Sequence, residues 1–331
     1  MLYYYALLYY NINLKQIKTM KKIHIISTLI GLLIFSTLAK AELKVVTSIK
    51  PIHSLASYIM DGVGSPGLIV DGYNSPHSFQ LKPSHAKMLE QADIIFWIGE
   101  DLENFLEKPL ATIAKKAEKI ELLEIKGIKK LKFRERNIFE EHEGHDDHGH
   151  DAKKEEHDDH DDHGHGEYDP HIWLDPINAK VILNEITEHL IENDSKNAAT
   201  YKSNLAKAIS EIDKLIIDVI TETNTDLSYV VFHDAYQYYE NRFNVNILGA
   251  MTVNPDVMPG AEQIHEIHEV IEHDNVSCIL SEPQFNPDII KSIAKDTSVK
   301  TGVLDPLGAN LKPGKDLYFD LIRNMSSSFN C

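Results

Sequence analysis

Histidine carries most of the chemistry open to this sequence. Of 18 histidines, eight crowd into one run, Glu140 to Tyr168: His142, His145, His148, His150, His157, His160, His163 and His165. They alternate with thirteen Asp or Glu residues, and the run contains no Leu, Ile, Val, Phe or Met. Imidazole is a ligand of intermediate softness suited to Zn, Cu and Ni, and the carboxylates add attraction for cations. A segment with so little to bury cannot offset the entropy of ordering it. The run is therefore expected to be a disordered, metal-collecting tether; the blander alternative is a solubilising linker. It ends in Asp169-Pro170-His171-Ile172-Trp173-Leu174-Asp175-Pro176, where apolar residues return together with another His.

Other candidates stand one by one. His77 follows Leu68-Ile69-Val70 in a polar loop, and His233 follows Tyr229-Val230-Val231-Phe232. Glu282 comes after Cys278-Ile279-Leu280, and Asp305 after Gly302-Val303-Leu304. With His171 these make three imidazoles and two carboxylates, and a tetrahedral zinc site needs four N, O or S ligands. Each has a plainer reading. His77 beside Pro76 could be an ordinary loop residue, His171 a helix cap, His233 and Asp234 a hydrogen-bonded core pair. Glu282 and Asp305 could cap the helices that follow them. His85, His189, His265, His268 and His273 fall on helical patterns, most simply on solvated faces.

The elements that must position these residues alternate between strand and helix. Strands are expected at 43–48, 67–70, 93–98, 227–232, 245–248, 277–281 and 299–304, and a weaker one at 120–125. The continuous apolar run Ile94-Ile95-Phe96-Trp97-Ile98 suits a strand buried on both faces. Helices are expected between them, including one over 103–120 that Pro109 could kink. Such alternation indicates parallel sheets covered by helices, and ligands bind such sheets beyond the carboxyl ends of the strands. From Lys196 to about Thr223 a helical pattern runs without Gly or Pro. It divides the chain into an amino-terminal α/β half, residues 42–194, and a carboxy-terminal one, 224–331, with the helix of 195–223 between them. Composition alone leaves open whether that helix bridges two lobes or lies in one core.

Charge excludes one class of partner. The net charge is −18, which argues against nucleic acid, whose phosphates need basic patches. The charge is unevenly spread: thirteen acids against two lysines place −11 of it between 140 and 168. At the amino terminus Lys21-Lys22, the mostly apolar Ile23 to Leu38 and Ala39-Lys40-Ala41 read as a secretory signal peptide. It would place the mature chain, from Glu42, outside the cytoplasm. Met20, directly before Lys21, is the expected start, with Met1 to Thr19 not translated. The chain has two cysteines, Cys278 and Cys331; in an oxidising compartment an even pair suggests one disulfide.

Seven stretches together resemble one family: VVTSIKPIHSLA, NSPHSFQLKPSHAKMLEQADIIFWIG, DPHIWLDPINAK, VFHDAYQYY, TVNPDVMPGAEQIHEI, CILSEPQFNP and TGVLDPLGANL. The resemblance is to the substrate-binding proteins of zinc ABC transporters, and it extends from about residue 45 to the carboxyl terminus. It implies two α/β lobes, each with a mainly parallel sheet, joined by one long rigid helix, with the metal in the cleft. It carries the histidine ligands onto His77, His171 and His233, with Asp305 as a fourth ligand or beside a bound water. Glu282 is then a residue supporting a ligand from behind. Cys278 and Cys331 match the family's second-lobe disulfide. The implied function is periplasmic capture of Zn²⁺ as a transported ligand by a monomer. The ion would pass to a membrane permease driven by a cytosolic ATPase, with the His-rich run as an auxiliary collector or sensor. Two departures stand out. Pro76 occupies a position before the first His that is often acidic, and Gly249-Ala250-Met251-Thr252 lacks a His that some members carry. A third imidazole at His233 favours Zn over Mn or Fe, whose receptors tend to have Glu there. A secreted zinc hydrolase is the rival of a different class, but the sequence has neither HExxH nor GxSxG.

Overall fold

The computed structural model describes residues 20, 42–134, 136–139, 166–255, 257, 259–297 and 299–331. The expected signal segment, Met20 apart, and all eight histidines of the His-rich run lie outside these residues. No helix among the described residues is long and apolar enough to cross a membrane.

Two four-stranded sheets form, and every strand pairing within them is parallel. The first contains β1 (Val45–Ile49), β2 (Gly67–Val70), β3 (Ile94–Trp97) and β4 (Glu118–Glu121) in the order β2-β1-β3-β4. The second contains β5 (Ser228–His233), β6 (Asn246–Thr252), β7 (Cys278–Ser281) and β8 (Lys300–Val303) in the order β6-β5-β7-β8. Central strands β1, β3, β5 and β7 are buried throughout. That explains why they read as apolar runs rather than as alternating patterns. In each sheet the strand order reverses between the two central strands. A crevice opens beyond their carboxyl ends at such a reversal.

Helices α1 (Lys50–Ile59), α2 (Pro83–Gln91) and α3 (Glu100–Thr112) belong to the first half. The helix α4 (Pro176–Asn193) follows, its first turn capped by Asp175, whose side chain accepts from Ile177 N at 2.8 Å. Then comes α5 (Ala198–Glu222), 25 residues with a buried stripe of Tyr201, Asn204, Ala208, Ile212, Leu215 and Val219. At 1.5 Å per residue it spans roughly 40 Å. Helices α6 (Gln237–Phe243), α7 (Ala261–His273), α8 (Asp288–Asp296) and α9 (Leu317–Ser328) complete the chain. The last of these packs on α1 and α5, so the carboxy-terminal helix reaches back onto the first half.

Three elements differ from their sequence reading. The strand expected at 120–125 lies at 118–121, and the helix expected from Glu103 starts at Glu100 and ends at Thr112. That helix departs from helical geometry at Glu103 (φ −125°, ψ 48°), not at Pro109. The Glu103 carboxylate is buried and turns back to accept Ile98 N at 2.7 Å, and burial raises its pKa to about 7. Finally, the expected structureless run was drawn to residue 168, yet Tyr168 pairs with Lys132 in an antiparallel bridge.

Just before that run the chain crosses between the halves. Ile138 bridges Gly249 on edge strand β6, Ala250 N donates to Asn137 O at 2.8 Å and Phe139 N to Leu248 O at 2.9 Å. A Cβ on Gly249 would stand 2.6 Å from the Asn137 carbonyl, so only glycine lets the strap lie this close. Residues 137–139 therefore hold the edge of the second sheet, whereas Tyr168 returns to the first half.

A disulfide joins Cys278 on β7 to Cys331, 53 residues on. Closing a loop of that length contributes roughly 4 kcal/mol by chain-entropy reasoning. Cys278→Ser with Cys331→Ser is expected to lower unfolding stability by a few kcal/mol, read as a shifted midpoint in urea. An unchanged midpoint would show that the tie contributes nothing.

Candidate metal centre

Three side chains that start far apart in sequence converge at the carboxyl ends of the two sheets. His77 is carried by the loop after β2, where its backbone N donates to Ser75 Oγ at 3.2 Å. His171 opens a short 3₁₀ turn, Ile172–Leu174, and is buried. His233 is the last residue of β5 and is also buried. The ring centroids stand 5.6 Å apart for His77 and His171, 5.7 Å for His77 and His233, and 5.3 Å for His171 and His233. One ligand atom from each ring lies within 4.8 Å of the others, so the group could hold a metal ion.

The two buried rings are aimed by carboxylates. His171 Nδ1 lies 2.7 Å from Asp169 Oδ1, which also accepts the His171 backbone N at 2.9 Å. His233 Nδ1 lies 2.6 Å from Glu282 Oε1. An ionised carboxylate only accepts, so with Asp169 and Glu282 ionised and both rings neutral each Nδ1 carries the proton and each Nε2 is left with a lone pair. The two Nε2 atoms face one another at 3.4 Å. Lone pairs so placed repel unless something positive lies beside both. Two nitrogens bound at about 2.05 Å to a tetrahedral ion stand about 3.3 Å apart. The carboxylate–histidine arrangement is the one that fixes tautomer and raises ligand basicity at metal sites.

Burial sets the electrostatics. It pushes the pKa of His171 well below the ordinary value, and the neighbouring His233 adds to the effect. His233 moves the other way: burial pulls it down most strongly, but Glu282, Asp234 and Asp169 together outweigh that and the result is raised. Burial also lifts Asp169 and Asp234 to about 7. Arg134 holds Asp234 at 3.2 Å and also pairs with Glu240, tying the start of the strap to the residue after His233. Apolar walls come from Trp173, Phe285, Pro306, Leu307 and Pro76.

Asp305 lies outside the three-ring group. Its Oδ1 accepts Leu307 N and Gly308 N, both at 3.0 Å, and Gln284 Nε2 at 2.9 Å; its Oδ2 accepts Ala309 N at 2.5 Å. The carboxylate thus organises the loop after β8. The same loop is held from the first half by buried Lys50, whose Nζ donates to Gly308 O, Ala309 O and Leu311 O at 2.8, 3.0 and 2.8 Å. Trp173 Nε1 adds a bond to Pro306 O at 2.9 Å. Sequence reasoning missed Lys50, Arg134 and the role of Asp169. The Asp-x-His spacing could have pointed to Asp169, but nothing local marks the other two. His265 is exposed on α7 and pairs with Glu269, as a solvated helix face would.

Glu282→Gln keeps an acceptor at His233 but removes its charge. Changes of this kind behind a ligand cost about 10–100-fold in metal affinity, and a loss in that range is expected in competition with a chromophoric chelator. Unchanged affinity would mean that His233 is not held for a metal.

Two parallel-sheet lobes on a long helix, with imidazoles gathered beyond the strand ends, define a metal receptor of the solute-binding class. The chain belongs to the ZnuA family, the periplasmic component A of zinc-uptake complexes, whose family model matches residues 45–330. A high-affinity zinc uptake system protein ZnuA of Brucella abortus is 45% identical over 313 residues, 88% of this chain and 92% of that protein. Its namesake in Yersinia pestis is 35% identical over 303 residues, 90% of this chain and 94% of that protein. Among solved structures, a crystal structure of ZnuA superposes with a TM-score of 0.69 at 21% identity, covering 87% of this chain and 99% of that one. At that identity the likeness is one of fold.

Proposed function

We propose that the chain is a periplasmic receptor that captures Zn²⁺ with His77, His171 and His233 and delivers it to an ABC-type permease. One observation carries the reading: two Nε2 atoms face each other at 3.4 Å, each ring held from behind by a carboxylate. Asp305, whose carboxylate the backbone amides of its loop hold in place, or a water beside it completes the coordination. The names of the curated relatives support zinc as the cargo. So does the chemistry of three imidazoles, which favours zinc over the harder manganese. The lobes are cross-tied by Lys50, Trp173 and residues 137–139, so release relies on small displacements of the ligand-bearing loops rather than wide hinge opening. The receptor works as a monomer, without turnover of its own. The His-rich run collects zinc at low affinity and raises its local concentration.

Competitive titration of Zn²⁺, Mn²⁺ and Fe²⁺ against one chelator tests this. Zinc is expected to win by orders of magnitude, and one tight equivalent should persist after deletion of residues 140–165. Preference for manganese would overturn the cargo. Loss of the tight equivalent with the deletion would overturn the cleft.

A further inference from the structure

A second group of ligand-type side chains lies at the edge of the first sheet. Glu118 opens edge strand β4, and His189 and Glu192 sit three residues apart near the end of α4, so they share a face. One ligand atom from each lies within 4.8 Å of the other two. We propose that Glu118, His189 and Glu192 form a surface site for a zinc-type divalent cation, separate in sequence and chemistry from the three imidazoles of the cleft.

Three observations point to a cation. His189 is flanked at both ring nitrogens, Nδ1 lying 2.9 Å from Glu118 Oε1 and Nε2 3.2 Å from Glu185 Oε1. One nitrogen is thus placed to bind an ion beside Glu118 while the opposite N–H donates to Glu185, the arrangement that orients metal-bound histidines. Next, the cluster is partly built: Asn193 Nδ2 donates to Glu118 Oε2 at 3.0 Å, and the His189 ring stands edge-on to Phe96, 6.2 Å between centroids. Lastly, the charge is unbalanced. Three carboxylates surround one ring near the negative end of α4, whose last turn holds no basic residue. Among the described residues the only ion-pair partner of Glu118 and Glu185 is His189 itself. A helix carboxyl end attracts cations and disfavours acids, so these acids gain from a bound divalent ion.

The ligand set selects the ion. One imidazole with two carboxylates suits Zn²⁺, Cu²⁺ or Ni²⁺, whereas calcium and magnesium favour all-oxygen shells of six or more ligands. With one ring instead of three, and with Glu118 well exposed, the site fills only after the cleft. The competing explanation is a proton: a charged His189 would satisfy the same carboxylates without metal.

Zinc titration of the full chain, followed by long-range ¹H–¹⁵N correlation of the histidine rings, separates the two. Beyond one equivalent the His189 signal, assigned by its loss in His189→Gln, is expected to move with added zinc at fixed pH and to ignore calcium. Glu192→Gln, an exposed change, should raise the zinc needed for that shift about tenfold and leave the first equivalent untouched. In zinc-soaked crystals an anomalous peak should lie between the three side chains. A His189 signal that responds to pH but not to excess zinc, or a shift that Glu192→Gln leaves unaltered, overturns the proposal.

Discussion

Replacing His171 by alanine is expected to weaken tight zinc binding by a hundred- to a thousandfold. Zinc held by a full protein ligand set is worth about 10–16 kcal/mol, so one of its ligands accounts for about 3 kcal/mol or more, over a hundredfold in affinity. His171 is the position where the loss is hardest to repair. Its ring is buried and its backbone N and Nδ1 are both fixed on Asp169, and Trp173, Leu307 and Phe285 line the same pocket with apolar surface. Water can fill the gap but brings no charge and no fixed orientation. Removal of the eight His-rich-run imidazoles should change the same equivalent far less, because none of them belongs to the three-ring group of the cleft. The measurement is chelator competition on both variants, with thermal unfolding as a check on the fold. If His171→Ala fails to fold, His171→Gln keeps the volume and tests the same ligand. Undiminished tight binding in a folded variant would remove the imidazole cluster from the mechanism.

Much of the positioning was legible before any coordinates. The apolar runs at Val45–Ile49, Ile94–Trp97 and Ser228–His233 announce parallel strands because both of their faces are covered. Histidines directly after such strands fall, by topology, at the crevice end of a sheet. What stayed hidden depends on contacts between distant residues. Lys50 reads as an ordinary helix-start lysine, but its three acceptors lie some 260 residues on. Asp305 has the composition of a ligand and the place of one after a strand. The sequence does not show that the turn that follows aims three backbone N–H groups at it. The bend of α3 is similar: Pro109 is visible in sequence, whereas the buried pull of Ile98 N on Glu103 is not. The strap at 137–139 was absorbed into the approach to a polar run, since two or three residues of edge pairing leave no periodic signature.

Acidification is expected to release zinc steeply, and the direction follows from which groups must lose protons to bind it. A bound ion needs a neutral imidazole, so the empty receptor holds more protons than the loaded one and affinity rises with pH. His233 is raised above the usual histidine value: burial opposes its charge, but Glu282 at 2.6 Å, with Asp234 and Asp169, more than compensates. As pH falls through that raised value, a proton on His233 takes the place of the ion and pairs with Glu282. Below it each further unit costs about tenfold for one displaced proton, so binding should weaken progressively on acidification from pH 7.5 to 5.5. His171, held well below the ordinary value by burial, keeps its lone pair through this window and adds nothing to the slope. Asp169, lifted to about 7, titrates in the same range. Its protonation frees Nδ1 of His171 from its anchor, making the dependence steeper than one proton. Glu282→Gln provides the internal control: without that carboxylate the largest influence raising His233 is gone, only Asp234 and Asp169 still oppose burial, and its protonation moves to lower pH. The variant should therefore bind more weakly at pH 7.5 yet lose less on acidification. Chelator competition across pH on the chain lacking residues 140–165 keeps the other imidazoles from contributing. A flat profile, or identical slopes in the two proteins, would mean that His233 gives up no proton to the cargo.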